Sequence, residues 1–144
     1  MRHSKVAIAL VALVCGGVAL GADKKIISPP RAKPGGNYCQ GILAYGTLCI
    51  SGQGGEDAAG KIPSDFDSEV RQSLENIGAV LKGAGMLPAD VVSVQLYLKE
   101  AGKFQRMNAV YTSYFKDPRP TRTTVVVAGL VVPGNIEITA AARK

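Results

Sequence analysis

Imidazole is nearly missing from this chain of 144 residues: its single histidine is His3. That residue lies in an opening stretch that reads as an export segment, so the mature chain is expected to hold none. Mechanisms built on imidazole, including Ser-His-Asp and Cys-His catalysis and His-rich zinc sites, are thereby excluded. Cysteine is scarce too, with three in all; Cys15 falls in the same stretch and leaves Cys39 and Cys49. Neither has an imidazole to activate it as a nucleophile. The glycine-rich stretch 52–60 lacks the lysine-plus-hydroxyl ending of a phosphate-binding loop, and is expected to be a plain loop entering a helix. No basic stripe with interleaved aromatics appears, so no nucleic-acid partner is expected. Beyond residue 22 no run is long and apolar enough to span a membrane.

The length suits one compact domain plus a short extra segment. Arg2, His3 and Lys5 form a basic start, residues 6–20 are almost wholly apolar, and Ala19-Leu20-Gly21 offers small residues for cleavage. This order is that of a secretory signal peptide over 1–21, cut near Gly21/Ala22, giving a periplasmic or secreted protein without stable membrane association. The alternative is an uncleaved anchor, because residues 6–22 approach the ~18–20 residues a spanning helix needs. Cleavage removes Arg2 and Lys5, which takes the formal charge from +6 to two fewer, +4. Lys24, Lys25, Arg31 and Lys33 crowd into a Pro/Gly-containing lead-in, and 22–36 is expected to be a flexible basic tail.

Residues 38–44 and 47–52 read as a hairpin turning at Tyr45-Gly46. Cys49 then lies opposite Ile42, with Cys39 about three positions away on the other face, too far for a disulfide. Two free, mostly buried thiols are expected. A helix follows, capped by Ser64 or Asp65 and stopped by Gly85, with Phe66, Val70, Leu74, Ile77 and Leu81 in one apolar stripe. Residues 91–98 alternate as a half-buried strand with Val92, Val94, Leu96 and Leu98 on one face. A second helix covers 103–115, where Phe104, Met107, Tyr111 and Tyr114 or Phe115 make a core stripe. Strands at 122–130 and 136–142 flank a turn at Pro133-Gly134. Two amphipathic helices cover one face of such a sheet, so an α+β two-layer sandwich is expected. Its other face, still apolar in part, calls for further subunits.

Arg122 is the most informative residue. It heads the apolar β-branched run 123–130, directly after Asp117-Pro118-Arg119-Pro120-Thr121. A guanidinium at the edge of a buried strand is costly to desolvate unless an anion meets it, and its planar fork of donors matches a carboxylate. The plainer reading is a strand-end arginine facing water or a structural acid. Glu137 stands alone on an apolar strand, either to orient and deprotonate water or to pair with a basic residue, Arg122 among them. Arg106 and Arg119 read as solvated charges.

Taken together, several segments resemble the RidA family, also called YjgF or liver perchloric-acid-soluble protein. They are Ile50-Ser51-Gly52-Gln53, Arg71-Gln72-Ser73-Leu74-Glu75-Asn76-Ile77, Ala84-Gly85 and Asp90-Val91-Val92. Phe104-Gln105-Arg106-Met107-Asn108-Ala109-Val110-Tyr111, Pro120-Thr121-Arg122-Thr123 and Ile136-Glu137-Ile138 complete the set. The resemblance spans nearly all of 37–144. It implies a chorismate-mutase-like subunit, a mixed sheet with two helices on one face, assembled as a homotrimer with a cleft at each subunit interface. It also implies hydrolysis of reactive enamines and imines of 2-amino acids to 2-keto acids and ammonia, without metal or organic cofactor. Arg122 matches the family's carboxylate anchor and Glu137 the acid associated with the attacking water. Tyr38, Ser51, Gly52 and Asn108 match positions lining or shaping the cleft. Thr124 stands where well-studied deaminases carry a cysteine, a departure that bears on substrate preference, since the backbone carbonyl survives it. The alternative functions are a trimeric small-carboxylate-binding or chaperone-like protein without turnover and, ranked lowest, a ribonuclease.

Overall fold

The computed structural model describes residues 23–30 and 36–144. The expected signal segment, 1–21, lies outside the described residues. Among those described, no helix is long and apolar enough to cross a membrane.

The chain's alternating and helical periodicities become six strands and two helices. The strands are β1 (Lys25–Ile27), β2 (Gly41–Ala44), β3 (Thr47–Gln53), β4 (Val91–Leu98), β5 (Thr121–Val126) and β6 (Ile136–Arg143). The helices are α1 (Phe66–Gly83), between β3 and β4, and α2 (Phe104–Tyr114), between β4 and β5. The sheet order is β1-β2-β3-β6-β4-β5, antiparallel throughout except for the parallel β4–β5 pair. The fold is thus the expected α+β sandwich, with a mixed sheet and both helices on one face. β6 fills the slot between β3 and β4.

The β2–β3 hairpin closes through Tyr45 and Gly46, whose positive φ angles of 51° and 73° give the left-handed two-residue turn that matches strand twist. Cys49 pairs with Ile42 as the alternation requires. Both thiols are free, but Cys49 is exposed and Cys39 half-buried. The expectation of burial therefore fails: Leu48 and Ile50 take the helix side of β3, which turns Cys49 to the open face of the sheet.

Asp65 caps α1 by accepting a hydrogen bond from the Ser68 backbone N–H. The helix ends in a Schellman arrangement, Met86 N–H donating to the Leu81 carbonyl and Gly85 N–H to that of Lys82, with Gly85 at φ +70°. Phe66, Val70, Leu74, Ile77 and Leu81 are all buried against Leu48, Leu96, Ile138 and their neighbours. Burial of each such side chain contributes about 1.5–3 kcal/mol.

Three sequence expectations are corrected. Residues 22–36 are not tail throughout, because Lys25–Ile27 pairs with Leu43, Ile42 and Gly41 and Ile27 is fully buried; an apolar side chain beside two glycines, Gly41 and Gly83, can dock there. The sheet thus takes in β1 as well as the strands that follow residue 37. Val92 does not face the core with Val94: the register slips between Val91 and Ser93, so Val91 is buried and Val92 exposed. The strand foreseen over 122–130 stops at Val126. One further bond, Val127 N–H to the Leu98 carbonyl, marks where β4 ends and no backbone remains to pair with. In the single subunit β5 is an exposed edge strand rather than a buried one.

Candidate functional site

The residues singled out from the sequence fall into two groups on opposite faces of the sheet. The pairing register decides this. Arg122 stands opposite Val94, which stands opposite Ala140, and both of those are buried beneath the helices. Thr124 follows on the same face, opposite Leu96. Glu137 stands opposite Tyr97, which stands opposite Val125, on the open face.

On the helix side, Arg122 Nη1 donates to Asn108 Oδ1 of α2 at 2.8 Å. Its guanidinium carbon lies 4.8 Å from the centre of the Tyr111 ring and 5.7 Å from that of Phe104. Asn108, Tyr111 and Phe104 come from one face of α2 at spacings of four and three. The aromatic stripe therefore serves both core and cation: Tyr111 is 2% exposed and still presents its face to the arginine. Among the described residues Arg122 makes no ion pair. A neutral amide orients the fork and leaves its charge uncompensated, the arrangement an anion seeks. The Tyr111 hydroxyl and Thr124 Oγ1 are both buried without a hydrogen-bond partner. Burial raises the Tyr111 phenol above its ordinary pKa, opposed by the charges of Arg122 and Arg119. Arg106 and Arg119 are exposed, as expected, and pair with Asp65 and Asp67, and with Asp117.

On the other side a cleft of about 1130 Å³ brings together Tyr38, Ser51, Gly52 and Glu137. Ser51 ties its wall to the segment before β2: its hydroxyl donates to the Cys39 carbonyl at 2.6 Å and its N–H to the Gln40 carbonyl at 3.0 Å. Gly52 lies at the break in the β3–β6 register, between the Ile50 and Gln53 pairings. A methyl group there would overlap Glu137 Oε1. The absent side chain is what lets the carboxylate lie against the β3 backbone. Glu137 is half-buried and makes no ion pair among the described residues. Arg122 is not its partner, because the sheet stands between them.

Several contributors escaped the sequence reading. Gln53, nearly buried, donates from Nε2 to Gln40 Oε1 at 2.8 Å, and both line the cleft. No pattern marks Gln40, and Gln53 stands out only as the end of the Ile50-Ser51-Gly52-Gln53 segment, with no role attached. Glu69, an acid in the first turn of α1, is buried on the flank of the apolar stripe, three residues after Phe66 and four before Ser73.

A family model described as Endoribonuclease L-PSP matches residues 29–144. The chain belongs to this family, the RidA/YjgF family. A RutC family protein of Pyrococcus horikoshii is 42% identical over 124 residues, covering 84% of this chain and 98% of that protein. A 2-iminobutanoate/2-iminopropanoate deaminase of Bos taurus is 39% identical over 122 residues, 83% of this chain and 89% of that protein. The solved structure of E. coli TdcF with bound serine is similar with a TM-score of 0.78 at 34% identity, covering 84% of this chain and 99% of that one. The RidA-family match takes in every site residue named above, from Tyr38 to Glu137.

Proposed function

We propose that this protein hydrolyses reactive imines and enamines of 2-amino acids to 2-keto acids and ammonia. The site is formed where the Arg122 edge of one subunit meets the Glu137 cleft of another in a homotrimer. The observation that carries the reading is the Arg122 guanidinium, oriented by Asn108 and Tyr111 and paired with no acid among the described residues. A relative named as an imine deaminase and a structural neighbour holding serine supply the ligand class: small molecules bearing a 2-amino or 2-imino carboxylate.

The chemistry needs little from the protein beyond placement. The C2 carbon of a protonated imine is already electrophilic. Arg122 holds the substrate carboxylate in a two-point grip. Glu137 accepts a proton from a water as its oxygen adds to C2 and returns it to the carbinolamine nitrogen. The C2–N bond then breaks, the hydroxyl proton is lost as the carbonyl forms, and the nitrogen departs with that proton as ammonium. The thiols take no part. Thr124, one position of the pleat beyond Arg122, presents its buried hydroxyl toward the anchored end of the substrate and tunes which side chains fit.

The test generates 2-iminopropanoate and 2-iminobutanoate enzymatically and follows keto-acid release with and without the protein. Arg122→Ala is expected to lower kcat/KM by at least about 100-fold, the loss of roughly 3 kcal/mol of charge-assisted hydrogen bonding. Wild-type rates in that variant would sink the anchor role. Saturable 2-keto-acid binding with no acceleration would instead mark a carrier. Ribonuclease chemistry has no histidine to use beyond His3.

A further inference from the structure

We infer that Glu69, which lies outside the cleft, is a positioning residue for Glu137, acting through Asn135; this rests on the reaction proposed above. Glu69 is a carboxylate 1% exposed within the apolar stripe of α1. Burying an ion is costly unless donors meet it, and here both oxygens are met by one residue. Asn135 donates its backbone N–H to Glu69 Oε1 and its side-chain Nδ2 to Oε2, the latter at 2.7 Å. Asn135 Oδ1 accepts from Lys103 Nζ at 2.6 Å, and the Asn135 carbonyl accepts from the Lys99 N–H at 3.0 Å. Every polar group of Asn135 is thus engaged, two residues before Glu137.

Two glycines make room for the carboxylate. A methyl group on Gly134 would come within 2.8 Å of Glu69 Oε1, and one on Gly55 within 2.5 Å of Glu69 Cγ. About two turns further along α1, Asn76 Nδ2 donates to the Gly54 and Glu56 carbonyls, each at 2.9 Å. Helix α1 therefore pins both chain segments that shape the cleft around Glu137: the glycine loop through Asn76 and the entry to β6 through Glu69. Gly54, Glu56 and Glu137 line that cleft, whereas Glu69 and Asn135 do not.

The polarity of the chain Glu69–Asn135–Lys103 is fixed at both ends. A carboxylate can only accept and an ammonium can only donate, so the Asn135 amide has one orientation. Glu69→Gln turns one end into a donor facing a donor. If Asn135 then flips, its NH2 meets the Lys103 ammonium instead. The pair of exchanges Glu69→Gln with Asn135→Asp restores a consistent sense: the glutamine oxygen accepts the backbone N–H, its NH2 donates to the aspartate, and the second aspartate oxygen accepts from Lys103.

The experiment compares the full-length wild type, E69Q and E69Q/N135D by steady-state kinetics on 2-iminopropanoate and by NMR titration of the Glu137 side-chain carboxyl carbon. E69Q is expected to lose about 10- to 100-fold in kcat, as displaced catalytic groups do, with KM unchanged because Arg122 still holds the substrate. Its Glu137 titration midpoint is expected to move, and the double variant to recover both readings. A folded E69Q with wild-type kcat and an unmoved Glu137 titration overturns the inference, even if its melting temperature falls. If the wild type does not turn over imines, the proposed function fails, and the Glu137 titration alone then decides the positioning role. Should E69Q not fold, Lys103→Met frees the far end of the Asn135 amide and is judged by the same two readings.

Discussion

Gly52 shows how closely the backbone of β3 confines the Glu137 carboxylate. The glycine is not required by its backbone, since it is not among the residues at positive φ; it is required by the space its missing Cβ leaves for Glu137 Oε1. Gly52→Ala is accordingly expected to fold, because the carboxylate at the end of a flexible side chain can swing aside. That swing is expected to lower kcat on the order of 100-fold with KM little changed, measured alongside the thermal midpoint. A G52A variant with unaltered kcat would show that the position of Glu137 does not matter to the reaction. At this scale the sequence was informative about identity and silent about pairing. Arg122, Glu137, Gly52 and Asn108 were legible from segment matches, and an arginine at a strand head already called for an anion. That Asn108 is the residue orienting Arg122, and that Glu69 is buried, depend on which helix faces which strand, which no local pattern encodes.

Among the elements, α1 is the one whose ends were written most plainly. Asp65 receives hydrogen bonds from the Ser68 N–H and hydroxyl at 3.0 Å each, and Arg106 donates to its other oxygen at 2.9 Å. The Ser68 backbone bond, then the Ser68 hydroxyl and Arg106, hold its carboxyl below the ordinary value of 3.8. A carboxyl whose pKa is lower folded than unfolded stabilises the fold above the unfolded value, and that contribution disappears as pH falls through the folded one. Asp65→Asn keeps an acceptor at the cap but removes the charge. It is expected to be less stable than wild type at pH 7, with the gap narrowing from about pH 4 downward, as followed by urea denaturation at a series of pH values. A gap independent of pH would show the charge to be irrelevant. Strands were harder to read. The alternation of β4 was legible from Val94 to Leu98 but not at Val92, because a one-residue slip against β6 reverses the face. β1 was hidden by its setting, three residues among lysines and prolines whose only apolar anchor is Ile27. The end of β5 followed from where β4 ran out, a fact of the partner strand and not of the run itself.

For the whole molecule, the face-to-face separation of Arg122 and Glu137 sets the requirement. On the proposed reading, one chain cannot bring them to the same small substrate, and the reaction calls for two copies. Mixing gives a direct test. Arg122→Ala and Glu137→Gln, each expected to be inactive alone, are unfolded together and refolded as mixed oligomers. If every site draws its arginine from one chain and its carboxylate from the next, about a quarter of the sites regain both groups. Activity near that fraction of wild type is expected, and none would place the whole reaction within a single chain. The α+β class and the helix-covered face followed from helix count and amphipathicity. The open face that two helices leave uncovered was legible too, and Cys49, Tyr97 and Val125 lie on it. The order of strands did not follow, because antiparallel pairing over long separations leaves no periodic trace.

That order has a consequence for how the protein is made. The strand at the centre of the sheet, β6, is the last of the described elements to leave the ribosome, and it bridges the β1-β2-β3 ribbon to the β4-β5 pair. Until it emerges, the nascent chain is two half-sheets with an open groove between them and the apolar stripe of α1 unroofed. Closure is a single late, long-range event, the kind of step at which synthesis in the cell leaves a chain open to chaperones or to self-association.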